Sequence, residues 1–177
     1  MLESKNYETR KVWIGCLTAY NSGHLHGEWV DVSNLLEDDI ANETRRILAE
    51  SPAPDAEEHF IADTEGFAGL IGEYSSFASV VQCVELLDEH GEDIVSAFND
   101  CFGVDDPEEI AKALEDGAYW GKWDNELDFA EDLVKSTDML RGCDQSIARY
   151  FDYEAFARDL FIDDYVFSGG HVFQRNW

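Results

Sequence analysis

Between Arg46 and Lys112 the chain holds no lysine or arginine, yet seventeen aspartates and glutamates fall in that interval. Whatever folds there cannot neutralise its charge locally, and like charges on a compact surface repel one another and weaken it. The carboxylates therefore belong on the outer sides of the elements that carry them. The same bias runs through the whole sequence, with 39 acidic against 12 basic residues, a formal net charge of -27 and a pI near 4.1. Its surface is that of a polyanion.

High charge is also the mark of a disordered tail, so the apolar content has to decide. Leu, Ile, Val and Phe supply 45 of 177 residues and aromatics 13%, well above the roughly 20% below which a charged chain fails to fold. The acids are scattered singly and in pairs among apolar residues, with no block of five or six like charges that would mark a solvated tail. The N-terminal residues 1–11 are polar and lack the apolar core of a secretory signal, and no stretch reaches ~18 apolar residues. A cytoplasmic protein that does not enter membranes is expected. Cys16, Cys83, Cys101 and Cys143 lie far apart, with no C-x-x-C pair, so free buried thiols are favoured over a disulfide framework or a zinc site.

Periodicity divides the chain into three small lobes. In the first, residues 1–65, Val12 to Thr18 and Glu28 to Val32 read as strands joined by a loop through Tyr20, Asn21, Ser22, Gly23 and Gly27. Asn34 with Glu37 suggests a capping box opening a helix through about Ala49, with Leu36, Ile40 and Ile47 on one side. Ser51 to Pro54 breaks it, and His59 to Ala62 supplies a third strand. In the second lobe, residues 66–115, Phe77, Val80, Val81, Val84 and Leu87 form one apolar stripe. Ile94, Val95, Phe98 and Phe102 form another after Gly91, and a third helix starts at Asp106-Pro107, capped with Glu109. In the third lobe, residues 116–177, Ala118 to Lys122 reads as a strand. Asp124 is placed to cap a helix carrying Leu127, Ala130 and Val134, with Leu133 beside them, and Asp152 one carrying Tyr153, Phe156, Ala157 and Leu160. Asp164 to Ser168 and His171 to Gln174 form a hairpin around Gly169-Gly170. The fold class is α+β.

On these helices the acids three and four apart share a face, about 5 to 6 Å apart at Cβ. Asp124, Asp128, Glu131 and Asp132 make one row. Glu85, Asp88, Glu89, Glu92 and Asp93 cluster where two helices meet, and Asp105, Asp106, Glu108 and Glu109 gather at a helix start. Asp100 and Glu115 extend the acidic surface. Any one group taken alone reads as a solvated helix face with capping acids before it reads as a site; the collective bias does not. A compact 177-residue domain is ~40 Å across. Two end to end carry twice the formal charge of -27, one charge per ~1.5 Å, against one per ~1.7 Å of duplex DNA. An assembly of modest size matches a duplex in linear charge density.

Two stretches add a resemblance. Ala19-Tyr20-Asn21-Ser22-Gly23-His24-Leu25-His26-Gly27-Glu28-Trp29 and Tyr150-Phe151-Asp152-Tyr153-Glu154-Ala155-Phe156-Ala157-Arg158-Asp159-Leu160 resemble signature stretches of the ArdA antirestriction family, and the similarity runs from about Val12 to the C-terminus. The resemblance implies an elongated, three-lobed homodimer that imitates bent B-form DNA, occupies the DNA-binding groove of Type I restriction-modification enzymes, and is carried on mobile genetic elements. The expected partner is then the methyltransferase and specificity core of such an enzyme, with no nucleic acid bound. By the same resemblance the dimer contact falls near Ala118 to Trp123, and Tyr119, Trp120 and Trp123 are large aromatics beside a strand that reads as an edge. Both readings stand for them, anchors for a second subunit or core of the third lobe. The signature stretches themselves read as fold-determining, with glycines at turns, packed aromatics and Arg158 as an ion-pair partner.

The rival classes are an enzyme and a general acidic module. Paired carboxylates serve as acid and base or hold a divalent metal, but no EF-hand loop, P-loop, H-E-x-x-H or G-x-S-x-G is present. His24-x-His26 sits beside glycines without a neighbouring Cys or acidic ligand. No catalytic residue, metal or cofactor is expected. A decoy for basic nucleic-acid-binding proteins is the alternative that charge alone leaves open.

Overall fold

The structure, a computed structural model, describes residues 9–177. Its elements run β1 (Lys11–Cys16), α1 (Leu17–Asn21), β2 (Gly27–Asp31), α2 (Glu37–Ala49), β3 (His59–Glu65), α3 (Phe77–His90), α4 (Glu92–Phe102) and α5 (Pro107–Glu115). Then follow β4 (Tyr119–Lys122), α6 (Glu126–Ser136), α7 (Gln145–Ala148), α8 (Tyr153–Asp163), β5 (Tyr165–Ser168) and β6 (His171–Gln174). Helices and two antiparallel three-stranded sheets make the fold α+β. The chain gathers into two compact units, one reaching to Val95 and including Asp105–Glu108, the other comprising Ser96–Val104 and Glu109–Trp177.

In the first unit β1 is the central strand, in the order β2-β1-β3. Its alternation sends Val12, Ile14 and Cys16 to one face, each wholly buried, where Ile40 and Ile47 of α2 and Val80, Cys83 and Leu87 of α3 complete the core. Burial of a Val or Ile side chain stabilises by about 1.5–3 kcal/mol, so this row is the main reason β1 holds the centre. Arg10, just before β1, is 4% exposed. Its guanidinium forms an ion pair with Asp88 of α3, and its backbone N–H donates to Ser33 Oγ at 2.9 Å.

Local signals account for most helix ends. Ser76 Oγ accepts from the Ser79 N–H at 3.0 Å to open α3, and Pro107 takes the first position of α5. Asp152 Oδ1 accepts from the Ala155 N–H at 2.9 Å to open α8. Such a cap contributes about 1 kcal/mol. Two caps differ from the sequence expectation. Helix α6 is capped by Asn125, whose Oδ1 accepts from the Asp128 N–H at 2.9 Å, one residue beyond Asp124. Helix α2 starts at Glu37 instead of after Asn34, with Asp39 Oδ2 accepting from the Leu36 N–H at 3.1 Å. The expected loop after β1 contains a turn of helix, α1, held by Cys16 Sγ accepting from the Ala19 N–H at 3.4 Å.

In the second unit the order is β4-β6-β5. The β5–β6 hairpin turns on Gly169 and Gly170, with φ of 58° and 91°, the left-handed pair that a two-residue turn matching strand twist demands. Val172 faces Phe129 and Leu133 of α6 together with Tyr165, while Trp123, Leu160, Phe161 and Phe167 close that cluster. The adjacent Phe173 points the other way, 5.5 Å from Phe98 and 6.2 Å from Phe102 of α4. This sheet is thus covered on both faces.

Candidate functional site

The helices position the carboxylates by burying their opposite faces. On α3, Val80, Cys83, Val84 and Leu87 face the core, which leaves Glu85 and Glu89 in water, with Glu92 following at the start of α4. On α4 the buried Val95 and Phe98 leave Asp93 and Asp100 outside. Ile110, Ala113 and Leu114 of α5 do the same for Glu108, Glu109 and Glu115, with Asp105 and Asp106 exposed just ahead of that helix. On α6, Phe129, Ala130, Leu133 and Val134 turn Asp128 and Asp132 outward, in line with Asp124. Among the 37 described carboxylates none is buried, and only Glu43, Asp88 and Glu131 are half-buried. Both units share the charge: the described residues of the first carry 21 acids and 4 bases, those of the second 16 and 7.

Two of the expected surface acids are engaged by cations. Asp88 is drawn inward by Arg10, its side chain 24% exposed against 5% for the arginine. Glu131 accepts from Lys135 Nζ at 2.9 Å, and that hydrogen bond raises the lysine pKa above its ordinary value. Glu85, Glu89, Glu92, Asp100, Asp105, Glu108, Glu115, Asp124 and Asp132 have no described cation within 4.0 Å, so their charge is uncompensated. The arginine that does gather acids is Arg46, which meets Glu28 at 2.7 Å, Glu43 at 2.9 Å and Glu50 at 3.4 Å. Its hydrogen bond and its charge hold the Glu28 carboxyl below the usual range.

The three aromatics near β4 divide. Trp123 is half-buried and packs against the core of the second unit, its ring 4.8 Å from Phe129. Tyr119 is half-buried, its hydroxyl 2.9 Å from His171 Nδ1 and its ring 5.3 Å from Phe173. Trp120 is 42% exposed, edge-on to Phe129 and Tyr165. Among the described residues strand β4 pairs with β6 alone, so no described strand adjoins its other edge.

The histidines of the first signature stretch have structural uses. His26 Nε2 lies 2.7 Å from the Ile47 carbonyl and His24 Nδ1 3.1 Å from the Ser22 carbonyl. Among the described residues no three His, Cys, Asp or Glu side chains gather in a metal-holding arrangement. The four cysteines are free, Cys16 and Cys83 buried, Cys101 half-buried and Cys143 exposed, and burial pushes the Cys83 thiol up to about 12. No helix among the described residues is long and apolar enough to cross a membrane.

The glycines of that stretch have a packing reason. A Cβ on Gly27 would stand 2.4 Å from the Ile14 carbonyl oxygen and 2.5 Å from the Trp13 ring, and one on Gly15 2.5 Å from Trp13 and 2.6 Å from Phe60. The indole of Trp13 occupies the space that two side chains would need. Sequence spacing signalled the glycines but not this use of them, because the indole reaches them across a strand pair. No curated protein matches the chain. A family model described as Antirestriction protein (ArdA) matches residues 12–174.

Proposed function

Because the chain belongs to the ArdA antirestriction family, we propose that its helix-borne carboxylates imitate the phosphates of B-form DNA and that it occupies the DNA-binding groove of a Type I restriction-modification enzyme. The observation that carries this reading is the placement of the acids: none of the described carboxylates is buried, and those on α3 to α6 stand opposite fully buried core residues. Anchored in this way, they are held in place before any partner arrives, which lowers the ordering cost of binding.

Lysine and arginine rows that grip phosphates would meet carboxylates at similar spacing, and counterions would leave both surfaces on association. No bond is made or broken. Selectivity would come from matching the length and curvature of one enzyme's groove and failing in others. A homodimer would supply the length of a bound duplex, with Tyr119, Trp120 and the edge of β4 away from β6 as its contact. The three segments 1–65, 66–115 and 116–177 would serve as sheet-plus-helix end, acidic middle and dimerisation end. Asp88 and Glu131 would contribute less to mimicry than their neighbours, since each already has a cation.

The test is a comparison of DNA displacement from a purified Type I methyltransferase by the native chain and by a chain carrying Glu85→Gln, Glu89→Gln, Glu92→Gln, Asp128→Asn and Asp132→Asn. Displacement near one inhibitor assembly per enzyme, weakened at least tenfold in the variant, supports the reading. Undiminished displacement by the variant refutes it. Weak displacement of DNA from unrelated basic proteins with equal ease would instead support a general acidic decoy.

A further inference from the structure

The first sheet has a second face, and among the described residues no helix-borne core covers it. Cross-strand partners share a face, and the register pairs Trp13 with Trp29 and Asp63, Gly15 with Gly27 and Phe60, and Lys11 with Asp31 and Glu65. All of these lie opposite the buried row Val12, Ile14 and Cys16. Across Gly15 and Gly27 lies the Trp13 indole, in edge contact with Phe60 at 6.3 Å between centroids. Tyr20 from α1 tilts onto Phe60 at 5.3 Å while remaining 57% exposed, and Trp29 is 42% exposed. The aromatic face runs into a cleft of about 430 Å³ lined by Tyr20, Leu25, Phe60, Ile71, Asp63 and Glu73.

This surface does not suit phosphate mimicry, which needs carboxylates and not exposed indoles. Its rim excludes a nucleic acid or an anionic lipid headgroup, because Asp31, Asp63, Glu65 and Glu73 repel them. Lys11, the cation on the same face, lies 3.9 Å from Glu65. Asp63 uses Oδ1 to accept from the Thr64 N–H at 2.8 Å, and the Glu73 carboxylate takes a hydrogen bond from the Tyr74 hydroxyl, which raises the tyrosine pKa. Neither carboxylate meets a described cation within 4.0 Å. A guanidinium fits such a place better than an ammonium: it is planar, stacks on aromatic rings and offers paired N–H donors to a carboxylate.

We propose that this aromatic, acid-rimmed sheet face is a second docking surface, for an arginine-bearing segment of a partner protein whose guanidinium groups stack on Trp29, Tyr20 and Trp13 and bond to Asp63 and Glu73. It goes beyond the DNA-mimic reading and does not depend on it. The partner is recognised by rings and carboxylates together, whereas the helix rows offer carboxylates alone.

The test uses the full chain, labelled at the indole nitrogens and titrated with acetylated hexa-arginine and hexa-lysine peptides of equal charge at physiological salt. The indole N–H signals of Trp13 and Trp29 move first with hexa-arginine, which binds two- to fivefold tighter than hexa-lysine, the ratio expected of about 0.5–1 kcal/mol of ring stacking at an exposed site. Tyr20→Ala with Trp29→Ala removes that preference, and Tyr20→Phe with Trp29→Phe, which keeps the rings and the fold, retains it. Equal affinity for the two peptides, or shifts spread evenly over the five indoles, overturns the proposal.

Discussion

Asp88 and Glu89 are neighbours on α3, carry the same charge, and belong to the same acidic cluster by sequence, yet their removal should have opposite consequences. The Arg10 guanidinium that Asp88 pairs with is 78 residues away in sequence and 5% exposed. Asp88→Asn keeps the shape and strips the negative charge that faces the buried Arg10 guanidinium. Breaking a buried pair from one side costs about 3–5 kcal/mol. Because the Asp88 side chain is 24% exposed, solvent screens part of this, and about 2–3 kcal/mol is expected. For a chain of this length that lowers the midpoint of thermal unfolding by about 5–10 °C. Glu89→Gln removes an uncompensated surface charge and stays within about 0.5 kcal/mol, with relief of repulsion favouring a small gain. Urea unfolding followed by circular dichroism and tryptophan fluorescence measures both. Adding Arg10→Met to Asp88→Asn should cost about 2 kcal/mol less than the sum of the two single changes, since the pair is lost only once. If Asp88→Asn and Glu89→Gln unfold alike, the anchor is not one.

Gly27→Ala forces a methyl group against the Ile14 carbonyl and Trp13 and should destabilise by about 1–3 kcal/mol, whereas Gly72→Ala, with open space around it, stays within about 0.5 kcal/mol; denaturant midpoints decide. The Glu28 carboxyl is held below its ordinary 4.5 by Arg46, so its stabilising effect is present above that pH and disappears as pH falls through the depressed value. The stability gap between the native chain and Glu28→Gln should accordingly be largest near neutrality and close in acid, and a constant gap across the pH range would contradict this. A thiol reagent should modify Cys143 at once and reach the buried Cys16 and Cys83 only as the chain unfolds; rapid loss of all four thiols would show the cores to be open.

How far the sequence revealed this molecule depends on the range of each interaction. Helix α3 was legible because its apolar stripe and Ser76 lie within one segment, α5 because Pro107 marks its start, and the last hairpin because two glycines must sit where φ is positive. Outward placement of the acids followed from the same periodicity. The shift from Asp124 to Asn125 as the cap of α6 was not legible, since either side chain can accept from the first turn and only the chain's entry angle selects one. Helix α1 reads as loop in the sequence because its five residues carry little pattern of their own and its start depends on a thiol at the end of β1. The Arg10–Asp88 pair and the laying of Trp13 over two glycines join residues from different elements, and no local spacing encodes them. The packing of half-buried Trp123 against Phe129, beside the greater exposure of Trp120, follows from which side of a short strand and its exit faces α6, a tertiary choice.

The proposed function requires that this chain and DNA compete for one positively charged groove. A fluorescent duplex bound to a purified Type I methyltransferase, titrated with the full chain at salt from about 50 to 200 mM, tests it directly. Competition requires one-for-one release of the duplex, no complex holding both, and affinity of the chain for the enzyme falling about tenfold or more over that range, because each counterion released into a saltier solution gains less entropy. A stable ternary complex with the duplex still bound, or an affinity indifferent to salt, would contradict it.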